Sequence, residues 1–167
     1  ELAYSEDMPL SGIVADIRKA FNYLPRAVVF EACALLGIPF RALRAWAGAL
    51  ASLPRRFQIN GSIGPEVLST CGLPEGCALS CLGMIAIDVL FHAWMRHHFP
   101  LCQPLSYVDD WQILVASPDF IRPVFTCLEN FVQAMDLFLD DKKTKTWSVS
   151  SQGRLLIKEQ GFGMIAY

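Results

Sequence analysis

Leu105-Ser106-Tyr107-Val108-Asp109-Asp110-Trp111-Gln112-Ile113-Leu114-Val115 sets two adjacent carboxylates between two apolar runs of β character. Leu105–Tyr107 and Trp111–Val115 predict the arms of a hairpin, with Val108-Asp109-Asp110 at its tip. Like charges side by side repel, and an apolar sheet does not solvate them, so the pair calls for something cationic. A divalent metal meets that need, and Mg²⁺ favours carboxylate oxygens, retained waters and substrate phosphates. A solvated turn is the plainer reading of the same residues, since Asp is common in turns. A third acid, Asp16, ends Ser11-Gly12-Ile13-Val14-Ala15, which reads as a short buried strand.

Working outward, Pro25 opens a helix whose apolar run, Ala27 to Leu36, closes at Gly37. Pro39 precedes a second helical stretch, Phe40 to Ser52, and Pro54 stops it. Arg55 to Asn60 has β character, Gly61 makes a turn, and Glu66 to Thr70 is the predicted partner strand. Asp119 is expected to cap a helix running to about Phe138, followed by a basic patch at Lys142, Lys143 and Lys145. The resulting order, β-α-α-β-β-α-β-β-α-β, predicts an α+β fold: an antiparallel sheet with helices packed on one face. No internal repeat or low-complexity tract interrupts it.

The chain has 167 residues, 53% hydrophobic and 18% charged. That composition excludes a disordered linker, which needs low hydrophobicity and high net charge. A mean hydropathy of +0.36 implies an unusually apolar core or a surface covered by neighbouring parts. The formal net charge of −2 gives no bulk-charge argument for nucleic acid. Cys33, Cys71, Cys77, Cys81, Cys102 and Cys127 form no Cys-x-x-Cys pair and no zinc spacing. They read as reduced and mostly buried, in an intracellular protein. The chain opens on Glu1 with acids at Glu6 and Asp7, unlike a signal peptide, and its end at Tyr167 suggests an excised segment.

Two further features have plain readings. Ala78 to Met95 carries one formal charge, Asp88, and approaches the length of a membrane span. Ser80, Gly83, Asp88 and His92 interrupt it and no positive cluster precedes it, so a buried helix under the sheet is expected, with no membrane partner. His92, His97 and His98 near Cys102 match no four-ligand zinc pattern and read as a helix end.

Four short patterns follow one another along the chain. Asp16-Ile17-Arg18-Lys19-Ala20-Phe21 has the form D-x-x-x-x-F, and Gly72-Leu73-Pro74-Glu75-Gly76-Cys77-Ala78-Leu79-Ser80 the form G-x-P-x-G-x-x-x-S. Tyr107-Val108-Asp109-Asp110 supplies Y-x-D-D, and residues 137–145 carry a Lys-Thr at Lys143-Thr144. In this order they resemble motifs A (16–21), B (72–80), C (107–110) and D (137–145) of reverse transcriptases. Lys19-Ala20-Phe21-Asn22 and Asn60-Gly61 are most similar to the non-LTR retroelement (LINE-like) branch, with group II intron enzymes next. The palm core would span about 11–146 of a reverse transcriptase domain fragment, residues 1–167, with partial fingers helices and without most of the fingers and the thumb. Those missing parts would supply the basic channel and so account for the acidic balance.

The resemblance implies an RNA-directed DNA polymerase, a nucleotidyltransferase that adds dNTPs to a DNA primer on an RNA template. Asp16, Asp109 and the backbone carbonyl of Ile17 would hold two Mg²⁺ ions (or Mn²⁺), with Asp110 beside them. Phe21 would stack under the deoxyribose and clash with a 2′-hydroxyl, which disfavours RNA synthesis. Gly72, Pro74, Glu75 and Gly76 would form the loop that supports the base pair, and Lys143 would protonate or neutralise the leaving pyrophosphate. Lys142 or Lys145 could substitute in register. Arg18 and Lys19 would reach triphosphate or backbone, and Arg55 and Arg56 template phosphates. Glu75 departs from the family's G-x-x-Q-G by putting an acid where Gln is usual, the best support for a second reading: a catalytically inactive palm serving as a nucleic-acid scaffold. The fragment alone is expected to be inactive. For a eukaryotic retroelement the compartment would be the nucleus.

Overall fold

Ile13 and Ala15 are buried on one side of β1 (Ser11–Asp16), while Val14 and Asp16 on the other side are only half-buried. This alternation is the two-residue period of a strand with one face on a core. The computed structural model describes residues 10–162, so Glu1, Glu6, Asp7 and Tyr167 lie outside the described residues. β1 is an inner strand of a four-stranded antiparallel sheet whose other members are β4 (Gln103–Tyr107), β5 (Asp110–Val115) and β6 (Lys145–Ser148), in the order β4–β5–β1–β6.

Helices cover the buried face, as expected. α4 (Ala78–His98) brings Phe91 parallel to Trp111 of β5, with ring centroids 4.2 Å apart. α5 (Ile121–Ala134) adds Phe131, tilted against Trp111 at 5.7 Å. Fully burying aromatic side chains of this size contributes about 2–3 kcal/mol each, before ring geometry adds its share. α2 (Arg26–Leu35) packs on α4, α3 (Phe40–Ala51) packs on α2, and α6 (Ser151–Glu159) packs against β6. The helix α4 is long and apolar enough to cross a membrane; here Met84, Ile87, Phe91 and Met95 are fully buried in the core.

On the opposite face of the sheet, Gly12 and Trp147 are register partners. A Cβ at Gly12 would lie 2.8 Å from the Trp147 ring and 2.9 Å from the Ile113 carbonyl, so the indole occupies the place of a side chain there.

Several boundaries differ from expectation. Two short helices join the predicted order, α1 (Ala20–Tyr23) and α6. The partner of β2 (Pro54–Ile59) is β3 (Ser62–Leu68), not Glu66 to Thr70. Asn60 and Gly61 both adopt positive φ, 49° and 82°, so they form a tight two-residue turn and pairing resumes at once with Ile59 opposite Ser62. Ser117, not Asp119, is the cap: its hydroxyl accepts from the Asp119 amide, and Pro118 starts a 3₁₀ turn leading into α5. That helix ends at Ala134 rather than near Phe138, because Asp136 turns to φ 53°. Only Cys33, Cys102 and Cys127 are buried; Cys71 sits on a loop and Cys81 on the outer side of α4, both exposed.

Candidate active site

Asp16, the last residue of β1, stands directly opposite Asp110, the first residue of β5. Both side chains belong to the face opposite Ile13, Ala15 and Trp111, away from α4 and α5. Asp109 sits on the two-residue loop joining β4 to β5, so Asp110 opens a strand instead of sharing the tip. The other loop residue, Val108, has φ 59°, the sign that such a loop demands of its first residue. A β-branched residue there is strained, by about 1–3 kcal/mol, and the surrounding sheet must hold it. Like charges directly opposite in a sheet are also unfavourable. The sequence thus places strain and repulsion at the same end of the sheet.

The motif D segment brings a cation to this end. Ile17 bridges Leu139, the Arg18 amide donates to the Phe138 carbonyl at 2.8 Å, and the Asp140 amide donates to the Asp16 carbonyl at 2.8 Å. The chain then turns on Asp140, whose carbonyl accepts from the amides of Lys143 and Thr144. The Lys143 ammonium is thereby carried to Asp16, with Nζ 3.1 and 3.3 Å from the two carboxylate oxygens. The hydrogen bond and charge of Asp16 raise the Lys143 pKa, with Asp140 and Asp109 adding to it. Of the three lysines in the basic patch, this is the one that reaches the acids. Its exposure makes the pair weak on its own.

Motifs A and B are joined by backbone. The Leu73 amide donates to the Phe21 carbonyl at 2.6 Å, and the Gly72 amide to the Leu24 carbonyl at 2.9 Å. Gly72 has φ 72°, and a Cβ there would fall 2.3 Å from the Asn22 carbonyl oxygen, so only glycine fits. Ser80 closes the other end by donating to the Pro74 carbonyl at 2.7 Å. Phe21 is half-buried, while Glu75 and Gly76 are exposed. Glu75 accepts from Asn22 Nδ2 at 2.6 Å, so the unusual acid has a partner beside Phe21. Arg26 donates to the carbonyls of Gly72 and Ser69, both at 2.7 Å, and ties the loop to α2.

Other candidates stand apart from this cluster. Arg18 and Lys19 are exposed. Arg56 pairs with Glu66 across the β2–β3 ribbon, and burial lowers the Arg26 pKa, with the Arg55 charge adding to it. His92 bonds Ser106 at 3.2 Å, and among the described residues no three His, Cys, Asp or Glu side chains converge as a metal cage. Mg²⁺ does not require one: it binds through one or two carboxylates, with waters and substrate phosphates completing the shell. The all-oxygen donors Asp16, Asp109 and Asp110 fit that chemistry, and an ammonium already rests on one of them. Sequence reasoning missed Asn22, Arg26 and Asp88. For Asp88 the signal was present, a lone charge in an apolar helix, but it read as an interruption.

The family described as "Reverse transcriptase (RNA-dependent DNA polymerase)" matches residues 5–159. Protein P of Hepatitis B virus genotype C subtype ayw (isolate Australia/AustRC/1992) is 29% identical over 86 residues, 52% of this chain and 10% of the relative. Protein P of Hepatitis B virus genotype D subtype ayw (isolate Italy/CI/1992) is 30% identical over 86 residues, with the same coverage. The chain therefore spans about a tenth of these relatives. Among solved structures, telomerase from Candida Tropicalis with a TWJ fragment of telomeric RNA superposes with a TM-score of 0.66 at 13% identity, over 90% of this chain and 29% of that one. The apo telomerase truncated from its C-terminal domain gives 0.64 at 16% identity, over 88% and 34%. The shared fold is that of the palm, with an antiparallel sheet and helices on one face.

Proposed function

The chain belongs to the reverse transcriptase family, and on that premise we propose that the end of its sheet where Asp16 and Asp110 meet is the active centre of an RNA-directed DNA polymerase. The observation that supports this best is Asp16 facing Asp110 across β1 and β5, with Asp109 on the adjoining loop. In this reading Asp16, Asp109 and the Ile17 carbonyl hold two Mg²⁺ ions, or Mn²⁺, with Asp110 beside them. Bound there, the ions would activate a primer 3′-hydroxyl and stabilise charge on the α-phosphate and the leaving pyrophosphate. The protein's own share is positioning and charge, as in phosphoryl transfer generally. Lys143, already at the site, neutralises or protonates pyrophosphate. Phe21 packs under the sugar and excludes a 2′-hydroxyl, and the Gly72–Gly76 loop, braced by Arg26, supports the nascent base pair. Arg18 and Lys19 are exposed and face outward for triphosphate or backbone phosphates.

RNA template, DNA primer and dNTP are then the partners, with fingers and thumb supplied by further polypeptide. A retroelement of the non-LTR kind is the proposed source, working inside the cell. A second reading, an inactive palm that scaffolds nucleic acid, is favoured by one contact: Glu75 is engaged by Asn22. The deciding experiment is primer extension on an RNA template with the full polypeptide that carries this chain, comparing dNTP with NTP in Mg²⁺ and in Mn²⁺. Incorporation of dNTP that vanishes in Asp109→Asn is expected. Equal use of NTP would overturn the role of Phe21, and no incorporation by the folded protein in either metal would leave the scaffold reading.

A further inference from the structure

Asp88 and His92 lie one turn apart on α4, beneath the hairpin that carries Asp109 and Asp110. Trp111 Nε1 donates to Asp88 Oδ1 at 2.7 Å, and Ser106 stands near enough to the same carboxylate to oppose, with Trp111, the rise in its pKa that burial causes. Ser106 and Trp111 are register partners on β4 and β5, one pair in from Tyr107 and Asp110 at the loop. One carboxylate therefore anchors one arm of the hairpin directly and faces the other arm at the same level. Ser106 Oγ also lies 3.2 Å from His92 Nε2. A hydroxyl has one proton, so if Ser106 gives its own to Asp88, His92 must donate from Nε2. Burial and the Arg96 charge lower the His92 pKa, which keeps the ring neutral for that role.

An acid in this place is costly. Asp88 is 7% exposed, with Phe91 stacked on its partner Trp111. An apolar residue would pack there without a desolvation penalty. We propose that Asp88 is a positioning residue of the active centre: through Trp111 and Ser106 it fixes both hairpin arms from below and so holds Asp109 and Asp110 opposite Asp16. The inference rests on the polymerase reading of that end of the sheet. It adds a third layer to the site, in which the metal-facing acids are set by a hydrogen-bonded acid on the buried side of the same hairpin.

The test uses the full polypeptide with Asp88→Leu, Asp88→Asn and Ser106→Ala, each checked for folding by thermal melting. Partners that orient ligands from behind are worth about 10–100-fold, so Asp88→Leu should lower kcat and weaken Mn²⁺ binding, read by electron paramagnetic resonance, by about that factor, with the dNTP KM nearly unchanged. Asp88→Asn keeps an oxygen for the indole and should stay within about threefold of wild type. Ser106→Ala should move both readouts in the same direction by less. The ¹⁹F resonance of 5-fluorotryptophan at position 111, assigned with Trp111→Phe, should shift in Asp88→Leu and stay in place in Asp88→Asn. Wild-type kcat and Mn²⁺ binding in a folded Asp88→Leu overturns the proposal, as do equal losses in the Asn and Leu variants. If Asp88→Leu does not fold, unchanged readouts in Ser106→Ala overturn it. Failure of the polymerase reading shows differently: the wild type itself then neither adds dNTP nor binds Mn²⁺ through Asp109.

Discussion

The four-stranded sheet and the β2–β3 ribbon are made of similar residues and end very differently. Along β5, Trp111, Ile113 and Val115 are buried while Asp110 and Gln112 are exposed. Along the ribbon, Phe57, Ile59, Ile63 and Leu68 are all exposed, and its two strands pack mainly on each other. In the sheet, a one-residue slip would turn the acids into the core, so register is enforced by burial. In the ribbon, register comes from the Asn60-Gly61 turn, with the exposed Arg56–Glu66 pair beside it, and not from burial. Three acids can be held against strain and repulsion only where the other face is packed. That is why the candidate site lies on the sheet.

The same substitution on both regions should separate them most. Phe91, fully buried on Trp111, should cost about 3–5 kcal/mol of unfolding free energy as Phe91→Ala, measured by urea denaturation. Next comes the loop that borders the sheet. Gly72→Ala forces a Cβ against the Asn22 carbonyl at φ 72°, and about 2–3 kcal/mol should be lost, with the melting temperature falling accordingly. A third prediction concerns pH. Burial pushes the Asp88 carboxyl up from 3.8 to about 6, against the opposing hydrogen bonds from Trp111 and Ser106. The native state therefore keeps a proton that the unfolded chain releases first. Stability is full below about pH 4, falls as pH rises through about 6, and levels off above it, a change of about 3 kcal/mol. In Asp88→Asn that slope should disappear, and a slope that persists would assign it to another group. The smallest effect belongs to the ribbon: Phe57→Ala, at a position 66% exposed, should stay within about 0.5 kcal/mol of wild type. A large loss there would mean the ribbon is packed after all.

What could be read from the chain follows the same division. β1, the hairpin and α4 were legible because their apolar periods are long and their acids stand at run ends. The cap before α5 was not, since Ser117 and Asp119 are equally good capping residues and only the placement of Pro118 decides between them. β3 was misplaced because its residues have no buried face to give them a period. The acids of the site were readable as residues, and their resemblance to polymerase motifs named their order. The contacts that set them were not: Lys143 reaches Asp16 across 127 residues, Asn22 reaches Glu75 across 53, and Trp111 reaches Asp88 across 23. Periodicity reports which way a residue faces, but not which distant partner it meets.

β1 comes first among the described strands, yet both its neighbours, β5 and β6, are made late. Ser11 finds its hydroxyl partner on Ser148, 137 residues further along. On a ribosome, Asp16 would leave the tunnel long before anything that holds it exists. The sheet can close only after most of the domain has been synthesised, and the loop entropy of that closure is met in one late step. Until then β1 is an apolar strand with two open edges, a segment that needs shelter from its own kind. Moving β1 by circular permutation to follow β6 would shorten that wait, and the permuted chain should refold faster while presenting the same acids.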